Sequence, residues 1–430
     1  MKLIRLFLLA MSLLLVSAVG LVFVIFDGSP LVAQQQASTV DDADSVHALM
    51  RSVRNMLKRR HQAQEVSISE QQVHSLLGLA NRALPNFSSK VNLQPEIGLI
   101  AASYAFSSPF DVPLPTVYLN VSASLSSGAR LHIDDVSIGQ LTLSGQTFLC
   151  LVEWLVNTWT SSDIATNGLN TIKRTQVNKD YLVLDLQPIQ PVLAQLNEIK
   201  NGLGTSQDTH LRERTAYYLK ALDDKSDLNQ TRGVSLTQYL SSLFQLVESQ
   251  RAFHDPVKDN QAAILALAVY TGHHRLANLV GDIQPVKGRA ALPRYRPLLA
   301  GRTDLTQHFV LSAAIYVLSQ QGITVAIGEF KELMDRANGG SGYSFVDLAA
   351  DMAGLRFAEQ ALSPERAMPL QSALAKGVEQ AWLFPDTQGL AEGLTKQAFS
   401  EQFETVDSQA YKDVLIDIQT RIDNLPLSQL

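Results

Sequence analysis

The first thirty residues constrain this chain more than any other part of it. Residues 6–26 form a run of 21 residues without a charged side chain, and Lys2 and Arg5 precede that run. As a helix, the run spans about 31 Å, the thickness of the hydrocarbon core of a bilayer. A cleavable signal peptide has a shorter apolar core, of about 7–15 residues. We therefore expect an uncleaved transmembrane signal anchor over residues 1–27.

The charges beside this run also predict its orientation. Positive side chains on the amino side of an apolar segment keep that side in the cytoplasm. The sequence thus predicts a single-pass membrane protein, held through residues 6–26. The bulk of the chain is then expected on the side of the membrane away from the cytoplasm.

Composition limits the remaining possibilities. The chain has 430 residues, of which 46% are hydrophobic and 18% charged, which is typical of a globular protein of two or three domains. The net charge is −6, and no Lys/Arg cluster alternates with aromatic residues, so a nucleic-acid partner is disfavoured. The single cysteine, Cys150, allows no internal disulfide, and we expect it to be a small buried apolar side chain.

Four segments follow from the changes of pattern along the chain. Ser69 stands three residues before Gln72, a capping-box spacing that opens an amphipathic helix. From Val117 onward apolar and polar residues alternate with the period of a half-buried antiparallel strand. Beyond Pro188 every strongly patterned segment has helical spacing. The predicted segments are an anchor over 1–27, a polar tether and helix over 28–65, an α+β domain over 66–190 and a helical domain over 191–430.

The fold class expected is accordingly α+β. A small α+β domain with one curved antiparallel sheet and helices on a face follows the transmembrane helix, and an all-α C-terminal domain completes the chain. The space between such a sheet and its helices is either ordinary core or a place for a lipid chain, and the sequence leaves both open.

Three helices are predicted after residue 300, over about 304–319, 324–337 and 345–361. On the first, Asp304 and His308 are four residues apart and share a face. His308 falls within the apolar stripe of that helix, so it should be largely buried and needs a polar partner. Asp304 is the local candidate, in the role of a carboxylate that orients an imidazole ring.

Carboxylates on the other two helices extend this constellation. Asp347 and Asp351 are again four residues apart. Ser344 is a good N-cap and explains Asp347 as a first-turn acid, whereas Asp351 has no such explanation. Glu332, on the second helix, projects almost opposite the apolar face. It can reach His308 only if that helix lines a cleft.

The segments "DLTQHF", "KELMD" and "GSGYSFVDLAADMAG" resemble the core of the YfiM-like family of bacterial envelope lipoproteins, whose activity is not assigned. The likeness covers about residues 300–356. The matching positions are Asp304, Gln307, His308, Phe309, Lys331, Glu332, Asp335, Gly342, Ser344, Asp347, Asp351 and Gly354. Together with the predicted anchor, the resemblance implies a single-pass protein of the bacterial inner membrane, held through residues 6–26, with the bulk of the chain in the periplasm. It also implies a polar site.

Two main classes of function remain, besides lipid transfer by the α+β domain. The first is a binding or scaffolding factor for an envelope protein or polymer, with the His308 constellation as a buried hydrogen-bond network. The second is a metal-dependent or acid–base hydrolase acting on an envelope lipid, glycan or peptide. No GxSxG, HExxH or Walker motif is present to indicate a more familiar chemistry.

The hydrolase hypothesis assigns a role to each residue. His308 would be the general base, Asp304 would orient it, and Glu332 would complete a catalytic set of His308, Asp304 and Glu332. As a metal site, the ligands would be His308, Glu332, Asp347 and Asp351. One imidazole among carboxylates suits Mg²⁺, Mn²⁺ or Ca²⁺ better than structural zinc.

Overall fold

The protein divides into two compact units, an α/β unit over Met1–Gly202 and a helical unit over Leu203–Leu430. The structure is a computed structural model. It describes residues 24–33, 40–84, 86–106, 115–202, 206–225, 228, 231–250, 255–281, 283–286, 288–318 and 342–430.

The described strands of the α/β unit form two antiparallel sheets, where one curved sheet was expected. The larger has six strands in the order β3-β4-β5-β7-β8, and β1 pairs with β5 beside this path. Its strands are β1 (Phe26–Asp27), β3 (Phe87–Gln94), β4 (Ile97–Phe106), β5 (Val117–Ser126), β7 (Ile133–Ile138) and β8 (Leu141–Ser144). The smaller has the order β2-β10-β9-β6. Its strands are β2 (Gln64–Ser69), β6 (Gly128–Ala129), β9 (Ile172–Asn178) and β10 (Tyr181–Leu186).

Among the described residues, five helices accompany these sheets: α1 (Val40–Lys58), α2 (Glu70–Ala83), α3 (Gly145–Thr160), α4 (Ile164–Thr171) and α5 (Gln190–Gly202). The capping box predicted at the start of α2 is confirmed, because the Ser69 side chain accepts the Gln72 amide and the Gln72 side chain accepts the Ser69 amide. Such a cap stabilises a helix by about 1 kcal/mol.

The core of the α/β unit joins α2 to both sheets. Val91 and Leu93 on β3 and Val177 on β9 are buried together, and Val73 and Leu77 of α2 pack against them. The alternating apolar pattern of β3 explains the choice of face, since successive side chains point to opposite sides of a strand.

The expectation for Cys150 is wrong, because its side chain is exposed on α3. An apolar sequence around a cysteine predicts burial only where other elements cover that side of the helix. Cys150 borders an open cavity beside α3 and α4 instead of packed core.

The chain after the predicted anchor is docked onto the larger sheet. Asn120 of β5 is buried, and its side chain bonds the amide of Leu31, the Oγ of Ser103, the Oδ2 of Asp27 and the carbonyl of Ser29. The segment predicted as a polar tether therefore begins as an ordered part of the α/β unit. Among the described residues, no helix combines the length and the apolar character that crossing a membrane requires. The predicted anchor lies largely in residues 1–23, outside them.

The described elements of the helical unit are helices, as expected. They are α6 (Ser206–Asp224), α7 (Leu236–Gln250), α8 (Pro256–Leu267), α9 (Ala277–Val280), α10 (Thr303–Leu318), α11 (Phe345–Leu362), α12 (Ala367–Lys376), α13 (Lys396–Phe403) and α14 (Gln409–Asp423). Residues 304–319 and 345–361 were predicted as helices within one residue of α10 and α11. The helix predicted over 324–337 lies outside the described residues.

An aromatic cluster fixes the start of α11. Tyr343 and Phe345 pack against Phe399, Phe403 and Tyr411, and the hydroxyls of Tyr343 and Tyr411 are 2.6 Å apart. All five side chains are nearly or fully buried. Because these rings come from three helices, the first turn of α11 has a defined position, and its acidic residues are held with it.

Candidate functional site

The candidate site lies between α10 and α11, which approach each other closely at a glycine. A Cβ on Gly354 would lie 2.1 Å from the carbonyl oxygen of Phe309, well inside contact distance. The rings of Phe309 and Phe357 pack beside this point, with centroids 5.5 Å apart. Only glycine permits this approach, which brings polar side chains of the two helices within hydrogen-bond reach.

His308 is held between two carboxylates of α11. Its Nδ1 lies 3.1 Å from Oδ2 of Asp351, and its Nε2 lies 3.5 Å from Oδ2 of Asp347. All three residues are 8% exposed. The burial predicted for His308 is confirmed. Acceptors on both ring nitrogens suit the imidazolium form, in which both nitrogens donate.

The two carboxylates have further partners. The Ser312 hydroxyl donates to Oδ1 of Asp351 at 2.6 Å, a short charge-assisted bond. Arg302 donates from Nη2 to Oδ1 of Asp347 at 3.1 Å. The predicted N-cap is also confirmed, since the Asp347 amide donates to the Ser344 hydroxyl at 3.0 Å. A carboxylate in this first turn is also favoured by the positive end of the helix dipole.

Arg302 connects the site to the surface. It donates to Asp304 from Nε at 3.1 Å and from Nη2 at 2.5 Å, and it also bonds Glu392. The hydrogen bond from Arg302 is the largest cause that holds the pKa of Asp304 below its ordinary value. The bonds to Asp304 and Glu392 raise the pKa of Arg302 in turn. Arg302 is therefore a fixed cation shared by three carboxylates.

The structure brings together some of the residues predicted from sequence and not others. His308, Asp347 and Asp351 converge. Asp304 bonds Arg302, and the carboxylates described at His308 are those of Asp347 and Asp351. The orienting position expected for Asp304 is thus occupied by Asp351, because α11 packs against the histidine face of α10. Glu332 lies outside the described residues.

Two residues of this network were given no role by the sequence argument. Ser312 follows His308 by four residues, so it shares the same face of α10, and this spacing was a usable signal. Arg302 precedes α10 and lies in the segment that connects it to α9. Its contact with Asp347 depends on tertiary packing, which the sequence pattern does not contain.

The arrangement is a chain of polar contacts, Arg302–Asp347–His308–Asp351–Ser312, that we call the His308 network. Within the part of the chain that the structure describes, no group of three or more His, Cys, Asp or Glu side chains is arranged to hold a metal ion. The metal set predicted from sequence included Glu332, so it stays a prediction.

The α/β unit contains a separate cavity of about 490 Å³ beside α3 and α4. Charged and polar groups line part of it, including Arg130, His132 and Glu153. A cavity for an acyl chain is lined mainly by apolar groups, so this lining suits a polar ligand or water better. Lipid binding by this unit stays a prediction.

Comparisons with protein-family models, with curated proteins and with solved structures give no match to the chain. The resemblance to the YfiM-like lipoproteins is therefore a prediction from the sequence pattern alone.

Proposed function

We propose that the chain is an inner-membrane-anchored periplasmic protein of the bacterial cell envelope, acting as a binding or scaffolding factor for an envelope protein or polymer. The apolar run 6–26 would be the anchor, with Lys2 and Arg5 keeping its amino side in the cytoplasm. The likeness of residues 300–356 to envelope lipoproteins points to the same compartment.

One observation supports a non-enzymatic role: the polar atoms at the centre of the His308 network have their partners within the chain. Both ring nitrogens of His308 and both carboxylate oxygens of Asp351 have partners from within the chain. A general base needs an atom within hydrogen-bond reach of a substrate proton. Here His308, Asp347 and Asp351 are 8% exposed and have partners within the chain, which is how buried polar groups that stabilise a core are arranged.

Cell fractionation tests the location. Full-length chain with a C-terminal epitope is expected in the inner-membrane fraction, in a form that alkaline carbonate does not extract. Protease should remove the epitope from spheroplasts and leave it intact in unbroken cells. A chain recovered in the soluble fraction, or an epitope protected in spheroplasts, would contradict the proposal.

A hydrolase remains the second candidate, and the charge balance around Arg302 favours it. Four carboxylates, those of Asp304, Asp347, Asp351 and Glu392, face one guanidinium and one imidazole. An excess of carboxylates favours an added divalent cation with oxygen ligands, of the kind predicted from sequence.

Metal addition separates the two candidates. A cation that binds only the folded chain raises the midpoint of thermal unfolding by mass action. A hydrolase site predicts a rise with Mg²⁺, Mn²⁺ or Ca²⁺ that disappears in Asp351→Asn. The structural network predicts the same midpoint with and without these ions.

A further inference from the structure

Helix α3 presents an apolar face outward. Leu151, Trp154, Leu155 and Trp159 follow each other at helical spacing, and their exposed fractions are 50%, 63%, 58% and 74%. Large apolar side chains on one continuous helix face are unusual on the surface of a soluble domain. Glu153 is the only charged residue of this helix.

The polar residues of α3 face the protein instead. Asn157 donates from Nδ2 to the Thr166 hydroxyl at 2.8 Å and accepts the Ala165 amide at 2.9 Å. Glu153 accepts a hydrogen bond from the same Thr166 hydroxyl. The helix is thus inverted relative to a surface helix of a soluble domain, since its polar side is hydrogen-bonded to α4 and its apolar side is largely exposed in the described part of the chain.

The position of α3 relative to the predicted anchor indicates what covers this face. The carbonyl of Val24, near the end of the anchor run, accepts the amide of Gln140 at 2.8 Å. A Cβ on the neighbouring Gly139 would lie 2.4 Å from the carbonyl oxygen of Ile25, so the two segments are in close contact.

The chain leads directly from this contact into the helix. Strand β8 follows Gln140, and its last residue, Ser144, caps α3 by accepting the Thr147 amide. Four strand residues cover about 13 Å and a 16-residue helix about 24 Å. The exposed face of α3 therefore begins within a short distance of the point where the anchor run ends.

We propose that α3 lies in the plane of the membrane surface, with the face made by Leu151, Trp154, Leu155 and Trp159 inserted among the lipids at the boundary of headgroups and acyl chains. Tryptophan is enriched at this depth, and an in-plane helix buries its apolar side there. The inference rests on the membrane anchor proposed above, and it assigns the α/β unit a second lipid contact.

Tryptophan fluorescence tests the proposal on the full-length chain reconstituted into phosphatidylcholine–phosphatidylglycerol vesicles. The chain has three tryptophans, so Trp382→Phe leaves Trp154 and Trp159 as the reporters. We expect emission at shorter wavelength than an exposed indole gives, and loss of most of that emission when the lipids carry bromine on their acyl chains. Leu155→Gln should shift the emission back toward longer wavelength. Leu99→Gln, a substitution at a comparably exposed leucine of β4, should not.

Flotation of the same vesicles distinguishes a failure of the proposed membrane anchor from a failure of the proposed lipid contact of α3. Chain that floats and is quenched by brominated lipid supports both. Chain that floats with water-exposed tryptophans, or with shielded tryptophans that brominated lipid does not quench, leaves the anchor standing and overturns the inference about α3. The shielded case would mean that protein covers the face, either a second copy or the helical unit. Chain that does not float overturns the anchor, and the α3 contact with it.

Discussion

Helices α3 and α10 have similar apolar sequences, and the protein uses them in opposite ways. In the helical unit, α10 has buried residues on nearly every side, and the polar side chains of its inner face meet the carboxylates of α11. In the α/β unit, α3 turns its polar side to α4, and Leu155 and Trp159 on its other side are 58% and 74% exposed. The chain itself supplies the neighbours of α10, whereas the described part of the chain leaves the apolar side of α3 largely exposed.

This difference shows that apolar content does not determine burial within the protein. Helix α10 can place His308 inside because Asp347, Asp351 and Ser312 return the hydrogen bonds that burial removes. Helix α3 meets the same need on its polar side, where Thr166 and Ala165 of α4 bond Glu153 and Asn157. The apolar side gains free energy only when something outside the described chain covers it.

Removing the histidine should have the largest effect on stability. His308→Ala leaves Asp347 and Asp351 facing each other at low exposure, and breaking a buried ion pair by removing one partner costs about 3–5 kcal/mol. We expect the midpoint of thermal unfolding, followed by circular dichroism in detergent, to fall markedly. Lys220→Ala is the matched control, since its pair with Asp224 is exposed and contributes less than about 1 kcal/mol. Equal midpoints for the two variants would contradict a stabilising network.

A pair of leucine substitutions sharpens the comparison of the two units. Leu348 on α11 is 1% exposed, and Leu348→Ala should lower the free energy of unfolding by about 3 kcal/mol. Leu155→Ala on α3 removes the same atoms from an exposed position. In lipid-free solution at low detergent concentration it should lower the free energy of unfolding by less than about 0.5 kcal/mol. Denaturant titration of both variants measures the difference. A comparable loss for Leu155→Ala would show that protein covers the outer face of α3.

Glycine substitutions test the close approach of α10 and α11. Gly354→Ala places a methyl group against the backbone of Phe309 and should cost about 2–3 kcal/mol, at the upper end of overpacking effects. Gly168→Ala on α4 meets nothing within 4 Å and should stabilise by about 0.5–1 kcal/mol, because alanine favours helix. Thermal unfolding of the two variants should therefore shift in opposite directions, and a neutral Gly354→Ala would refute the observed packing.

The smallest expected effect is the contribution of Asp304 to the pH dependence of the free energy of unfolding. The hydrogen bond from Arg302 lowers the folded-state pKa of Asp304, so the pair stabilises the fold above the unfolded-state pKa and loses this contribution as pH falls through the folded-state pKa. Asp304 is half exposed, which keeps the effect below about 1 kcal/mol. Wild type should lose stability more steeply below pH 4 than Asp304→Asn. In an Arg302→Gln background the two slopes should coincide, and a persistent difference would assign the shift to another partner.

Sequence patterns that span a few residues predicted several helices and their caps well. Hydrophobic periodicity gave α10 and α11 within one residue of their bounds, and side-chain capping explained Ser69 and Ser344. The burial of His308 followed from its place in an apolar stripe. These features depend on neighbours within one helical turn, which the sequence displays directly.

The partners of His308 depend on which helices pack together, and the sequence pattern does not display that. Asp304 was the nearest carboxylate along the chain, yet Asp351 bonds the ring because Gly354 lets α11 approach α10. Cys150 was expected to be buried, yet it borders an open cavity beside α3 and α4, because the apolar pattern of a helix does not show how closely neighbouring elements pack against it. Both differences arise from tertiary neighbours rather than from helix formation.

The most direct test of the structural role of the His308 network is to measure bound metal and thermal unfolding together on purified wild type and on the His308→Ala/Asp351→Ala variant. We predict no stoichiometric divalent metal in the wild type and a much lower unfolding midpoint in the variant. The loss should be smaller than the sum of the two single losses, since both substitutions remove one shared interaction. One metal ion per wild-type chain, lost from a variant that unfolds at the wild-type temperature, would contradict the account and make His308 part of a metal site.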